Sequence, residues 1–145
     1  MASETTRRRL LAGAGALAGF AATAGCLGGD EEPPPEPDAT VRLTPDLRFV
    51  PETVRVAAGG TVRWENEGRR PGSVTAYEDE IPPGAAYFAS GGTKREVAAR
   101  MLYPLVGALA RGDRYHHRFE TPGEYRYFSI PTEAQGTEGT VVVTD

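Results

Sequence analysis

From Ala39 onward, apolar and polar residues alternate with a period of two, and turns rich in Pro and Gly break the alternation every few residues. Period two belongs to a strand, whose successive side chains point to opposite faces; a helix would scatter the same pattern around its circumference. The candidate strands are residues 41–43, 47–49, 54–56, 62–65, 74–76, 115–120, 124–130 and 139–144. Thr44-Pro45-Asp46, Ala58-Gly59-Gly60 and Thr121-Pro122-Gly123 supply turns between them. Seven or eight short strands at this spacing imply an all-β antiparallel sandwich. The composition suits that reading, with 39% hydrophobic residues, 12 Pro and 18 Gly. Parity assigns the faces: Val62 and Trp64 inward, Arg63 and Glu65 outward, Val141 and Val143 together. It also places Tyr125, Tyr127 and Ser129 inward and Phe128 outward. Only residues 93–109 depart from the pattern, and Glu96 to Leu102 reads as one short helix stopped near Pro104.

The N-terminus follows other rules. Residues 1–25 open on a cationic stretch with a twin arginine, Thr6-Arg7-Arg8-Arg9-Leu10-Leu11, followed by an Ala- and Gly-rich apolar run. That run is shorter than the roughly 20 apolar residues of a membrane span, and it reads as a removable export signal. It ends in Thr23-Ala24-Gly25-Cys26-Leu27-Gly28, which resembles a lipoprotein lipobox, with Thr23 where a larger apolar residue is usual. Lipidation of Cys26 would anchor the protein to the outer face of the cytoplasmic membrane. An ordinary secretory signal with an incidental cysteine is the alternative. Residues 26–38 are an acidic, Pro-rich linker, a spacer of roughly 3 Å per residue, and residues 39–145 are the folded domain.

The full chain carries a charge of −4. Without residues 1–25, which hold Arg7, Arg8, Arg9 and Glu4, 13 basic and 19 acidic residues remain, a charge of −6. That balance disfavours nucleic acid as a partner, since a phosphate-tracking protein needs a basic surface. No basic patch larger than a pair remains, and Arg69-Arg70 is the pair beside Gly72. It is either solvated or the edge of a site for an anion or acidic partner.

Several motifs become specific when taken in order. Phe49-Val50-Pro51-Glu52, Gly60-Thr61-Val62-Arg63-Trp64 and Val74-Thr75-Ala76-Tyr77-Glu78-Asp79 are followed by Tyr87-Phe88-Ala89-Ser90-Gly91-Gly92. Then come Pro122-Gly123-Glu124-Tyr125-Arg126-Tyr127-Phe128 and Gly136-Thr137-Glu138-Gly139. Together they resemble the halocyanin and plastocyanin family of cupredoxins, above all the membrane-associated halocyanins of halophilic archaea. The resemblance implies a Greek-key β-sandwich and electron transfer through one copper ion. It implies ligands from a Pro-His-Ser-Val-like stretch, a Cys-x-Pro-His stretch and a Gly-Met-x-Gly stretch. Those frames read here Pro71-Gly72-Ser73-Val74, Ser129-Ile130-Pro131-Thr132 and Gly136-Thr137-Glu138-Gly139. Gly72, Ser129, Thr132 and Thr137 thus stand at the four ligand positions. A glycine and three neutral alcohols are poor copper donors beside thiolate and imidazole. Cys26 is the only cysteine and lies ahead of the domain.

The expected cofactor is therefore none, and the expected function is a copper-free, non-redox module that binds an unknown protein or small ligand. The alternative is the blue copper electron carrier that the resemblance implies by itself. The other side chains offer no clear rescue of a metal site. His116 and His117 are neighbours on one strand, so they point to opposite faces and read as surface or rim histidines. Glu133 and Glu138 read as solvated loop carboxylates, or as weak holders of a hydrated cation. No nucleophile is paired with a base, so an enzyme is not expected. Ser129, Thr132 and Thr137 are expected to share a small polar pocket and satisfy one another or a water.

Overall fold

The computed structural model of the chain describes residues 36–145. Cys26, the export-like segment and residues 26–35 of the linker lie outside the described residues. Eight strands follow in order: β1 (Ala39–Leu43), β2 (Phe49–Val50), β3 (Thr53–Ala57), β4 (Gly60–Asn66), β5 (Thr75–Ala76), β6 (Arg114–Phe119), β7 (Gly123–Phe128) and β8 (Glu138–Thr144). They form two four-stranded sheets, ordered β2-β1-β4-β6 and β3-β8-β7-β5. One α-helix, α1 (Glu96–Leu102), stands among the described residues, with 3-10 turns at Glu78–Glu80 and Ile130–Gln135. This is the expected all-β sandwich with one short helix.

Not every pairing is antiparallel. β1 runs parallel to β4, and β3 runs parallel to β8. A parallel pair needs a crossover. The chain supplies one by leaving the first sheet after β2, laying β3 in the second, and returning as β4 beside β1.

The core is aromatic and valine-rich. Trp64 is 1% exposed and sits edge-on to Tyr127 at 5.4 Å, with Phe88 stacked on it at 5.9 Å. Phe119 and Tyr125 meet edge-on at 4.8 Å, and the Tyr125 hydroxyl donates to the Thr121 carbonyl at 2.5 Å. Val41, Val62 and Val141 are fully buried. Such aromatic pairs each contribute about 1 kcal/mol beyond the area they bury. Asp38, the last linker residue, is tied to the sandwich. Its N–H donates to the Thr61 carbonyl at 2.8 Å, and its carboxylate accepts from the Thr61 N–H at 2.8 Å.

Two expectations about side-chain exposure need correction. Phe128 faces outward as parity requires, but it is buried rather than exposed. The outer face of β7 is covered there by the Tyr77 ring, stacked at 4.4 Å, and by the Arg100 guanidinium of α1, 4.4 Å from the ring centre. His117 is not a surface histidine. It shares parity with Tyr115 and Phe119, and its ring stacks on Phe88 at 4.9 Å and meets Phe119 edge-on at 4.7 Å. Burial pushes its pKa down to about 4, so it is neutral. His116 lies on the opposite face, and partial burial with Arg63 and Arg114 nearby lowers its pKa too. The two imidazoles therefore cannot meet at one ion.

The topology gathers one end of the sandwich. Parallel register sets Leu43 beside Asn66 at the ends of β1 and β4. Thr75 pairs with Phe128, and Phe128 pairs with Glu138. The loops carrying residues 66–73 and 129–137 therefore converge there.

Candidate functional site

Asn66 organises the first of these loops. It is 1% exposed at the end of β4. Its amide donates to the Arg70 carbonyl at 2.9 Å and the Leu109 carbonyl at 2.8 Å, while its side-chain oxygen accepts from the Gly68 N–H at 2.7 Å. One buried side chain thus fixes the loop bearing Arg69 and Arg70 and docks it on the segment around Leu109. Gly72 and Leu109 complete the junction with reciprocal backbone bonds of 2.9 and 2.7 Å.

Gly72 itself is closely overlain. A Cβ built on it would run into Leu43 Cδ2 and stand 3.2 Å from Ser129 Oγ. The space into which a side chain at position 72 would project is thus occupied in part by Leu43.

Ser129, Thr132 and Thr137 are all buried and linked to one another, but their hydroxyls do not satisfy one another and Thr137 does not line the cleft beside the other two. The links run through the backbone. The Ser129 N–H donates to the Thr137 carbonyl at 3.0 Å, and the Thr132 N–H donates to the Ser129 carbonyl at 3.2 Å. The hydroxyls turn to other partners. Ser129 Oγ accepts the Ser73 N–H at 3.0 Å, and Thr137 Oγ1 donates to the Leu47 carbonyl at 2.7 Å. Ser73 Oγ in turn accepts the Ile130 N–H at 2.9 Å and lies 2.9 Å from Thr75 Oγ1. Ser73 and Ser129 form a reciprocal clasp between the strand-entry loop and the end of β7. The Thr132 hydroxyl has no hydrogen-bond partner among the described residues. An open cleft of about 430 Å³ lies against this end, lined by Gly72, Ser129, Thr132, Leu43, Arg69 and Arg70.

Glu133 and Glu138 are neither freely solvated nor arranged for a cation. Arg100 holds Glu133 with a fork of 2.8 and 3.2 Å, and the Tyr77 hydroxyl donates to Glu133 at 2.8 Å. Arg126 pairs with Glu138. The bond from Arg100 is the main reason the Glu133 carboxyl lies below its ordinary pKa. Burial, then Glu133, pushes the Tyr77 phenol well above its ordinary range.

Asn66, Leu43 and Ser73 were not singled out from sequence. A buried polar residue closing an alternating strand just before a Gly-Arg-Arg-Pro-Gly loop was the available signal for Asn66. Nothing local marked Leu43, which reaches the site only through the parallel pairing of β1 and β4.

A two-sheet sandwich closed at one end by these loops is the architecture of a cupredoxin. The purple cupredoxin from Nitrosopumilus maritimus shares the fold at a TM-score of 0.53 with 21% identity, covering 74% of this chain and all of that one. Residues 38–144 match the copper binding proteins of the plastocyanin/azurin family. Plastocyanin from Scenedesmus fuscus is 35% identical over 109 residues, 73% of this chain and 99% of that protein. Chloroplastic plastocyanin from Tetradesmus obliquus is 34% identical over 108 residues, 72% of this chain and 66% of that protein. The chain belongs to the plastocyanin/azurin family.

The family's metal is a demanding test of these side chains. Copper in such sites favours a thiolate with imidazoles, and sites of harder oxygen donors favour other ions. One glycine overlain by Leu43 and three alcohols, two of them bonded to backbone groups, do not match that set.

Proposed function

We propose that this chain is a copper-free member of its family, a non-redox module that binds a protein or small-ligand partner. In this reading it is exported and held to the outer face of the cytoplasmic membrane by lipid on Cys26. The observation that carries the proposal is the fate of the Ser129 hydroxyl. The position that matches the family's thiolate instead accepts a buried backbone N–H from Ser73. Its chemistry there is structural, and redox function follows the site rather than the fold. The twin arginine and the lipobox-like Cys26 support the location.

The second reading, a blue copper electron carrier, is favoured by the 35% identity to a plastocyanin. Titration of the purified protein with Cu(II), followed by visible absorption, separates the two. No intense blue band is expected at saturating copper. A strong thiolate-to-copper band would overturn the copper-free reading. For the anchor, Cys26→Ser is expected to release the protein from membranes, and unchanged retention would count against lipidation.

A further inference from the structure

The arginines of this domain are unevenly partnered. Arg42, Arg95, Arg100, Arg114, Arg118 and Arg126 each lie within 3.7 Å of a carboxylate. Arg48, Arg55, Arg63, Arg69, Arg70 and Arg111 have no ion pair among the described residues, and of these Arg69, Arg70 and Arg111 line the cleft beside Ser129 and Thr132. The one acidic residue lining that cleft, Glu67, is paired with Arg42 at 3.3 Å. In a domain with an excess of acid, three cations are left facing one concavity.

We propose that this cleft binds a small oxyanion-bearing ligand, a carboxylate or phosphate, through Arg69, Arg70 and Arg111. The proposal rests on reading the protein as a binding module and names the chemistry of its ligand. The arginines come from two loops distant in sequence, and Asn66 holds both in place by bonding the Arg70 and Leu109 carbonyls at once. That arrangement is pre-organised, so less ordering is needed when an anion arrives. Planar guanidinium groups suit carboxylate and phosphate oxygens, with which they form charge-assisted, often paired hydrogen bonds. At the base, the unpartnered Thr132 hydroxyl is available to donate. A volume of about 430 Å³ suits a small molecule.

The test is calorimetric titration of the full-length protein at low ionic strength, with inorganic phosphate and with citrate as probes. Saturable binding of at least one probe is expected, and the preferred probe distinguishes the phosphate source from the carboxylate one. Arg69→Ala, Arg70→Ala and Arg111→Ala are each expected to weaken it about five- to tenfold, and the triple variant more than a hundredfold. Arg55→Ala, exposed on β3, is expected to change nothing. Thr132→Val is expected to weaken binding a few-fold without removing charge. No saturable binding of either probe, or binding that survives in the triple variant, overturns the proposal. Neither result bears on the copper titration, so failure here is distinguishable from failure of the copper-free reading.

Discussion

Ser129→Ala is the substitution that most directly probes how the ligand-position residues now work. Ser129 is fully buried and Ser73 is 1% exposed, so the Ser73 N–H loses its acceptor with little access to water. An unsatisfied buried donor costs about 1–3 kcal/mol. Removing the Ser129 hydroxyl, which must itself be buried, returns part of that, leaving about 1–2 kcal/mol. For a domain of this size the loss lowers the melting temperature by about 5–10 °C. Ser129→Cys is expected to cost less, about 0.5–1 kcal/mol, because sulfur remains a weak acceptor. Thr132→Val serves as the comparison within the same cleft. Its hydroxyl has no partner among the described residues, so the change is expected to cost under about 0.5 kcal/mol. Reversible urea unfolding, read as midpoint shifts at constant slope, measures all three. If Ser129→Ala is as mild as Thr132→Val, the clasp is not stabilising this end and the reasoning fails.

Acid should weaken the fold through His117 before it reaches the carboxylates. Its folded pKa of about 4 lies below the ordinary 6.5, so the unfolded chain takes up the proton first as pH falls. Stability should decline between those values by about 2 kcal/mol, discounted for the ring's partial exposure, and His117→Phe should flatten the slope in pH-dependent unfolding. Glu133 acts in a lower window, since its depressed pKa gives stability that is lost only as pH falls below about 4.5. Arg100→Ala should cost about 1 kcal/mol at neutral pH by uncovering Phe128 and releasing Glu133, with the difference shrinking in acid. Restoring donors with Gly72→His, Ser129→Cys, Thr132→His and Thr137→Met should create a blue copper band. Adding Leu43→Ala should strengthen copper binding by clearing the space over position 72. A folded variant that stays colourless at saturating copper would refute the assignment of those positions.

Strand order along the chain was readable because alternation and turns are local properties. Residues 62–65 and 139–144 show their buried faces in their own pattern, and Glu96 to Leu102 shows its helix through good helix formers ahead of Pro104. Partnership was not readable. Parity says which face of β1 is buried but not that β4 runs parallel beside it, so Leu43 over Gly72 stayed hidden. Phe128 faces outward as parity said, but its burial was not readable, because Tyr77 and Arg100 roof that face from segments 51 and 28 residues away. That the side chains of Gly72, Ser129, Thr132 and Thr137 carry no sulfur or nitrogen is read directly from the sequence. That Arg111 would join Arg69 and Arg70 is not, because long-range bonds from Asn66 and Gly72 to the segment around Leu109 bring that loop across.

The aromatic centre around Trp64 draws nothing from Gly72, Ser129, Thr132 or Thr137. Cohesion and the loop-bearing tip are therefore separate parts of one small body: the interior of the sandwich can serve as a chassis whatever side chains its tip carries. A change of residues at the tip then need not disturb the shape that carries it.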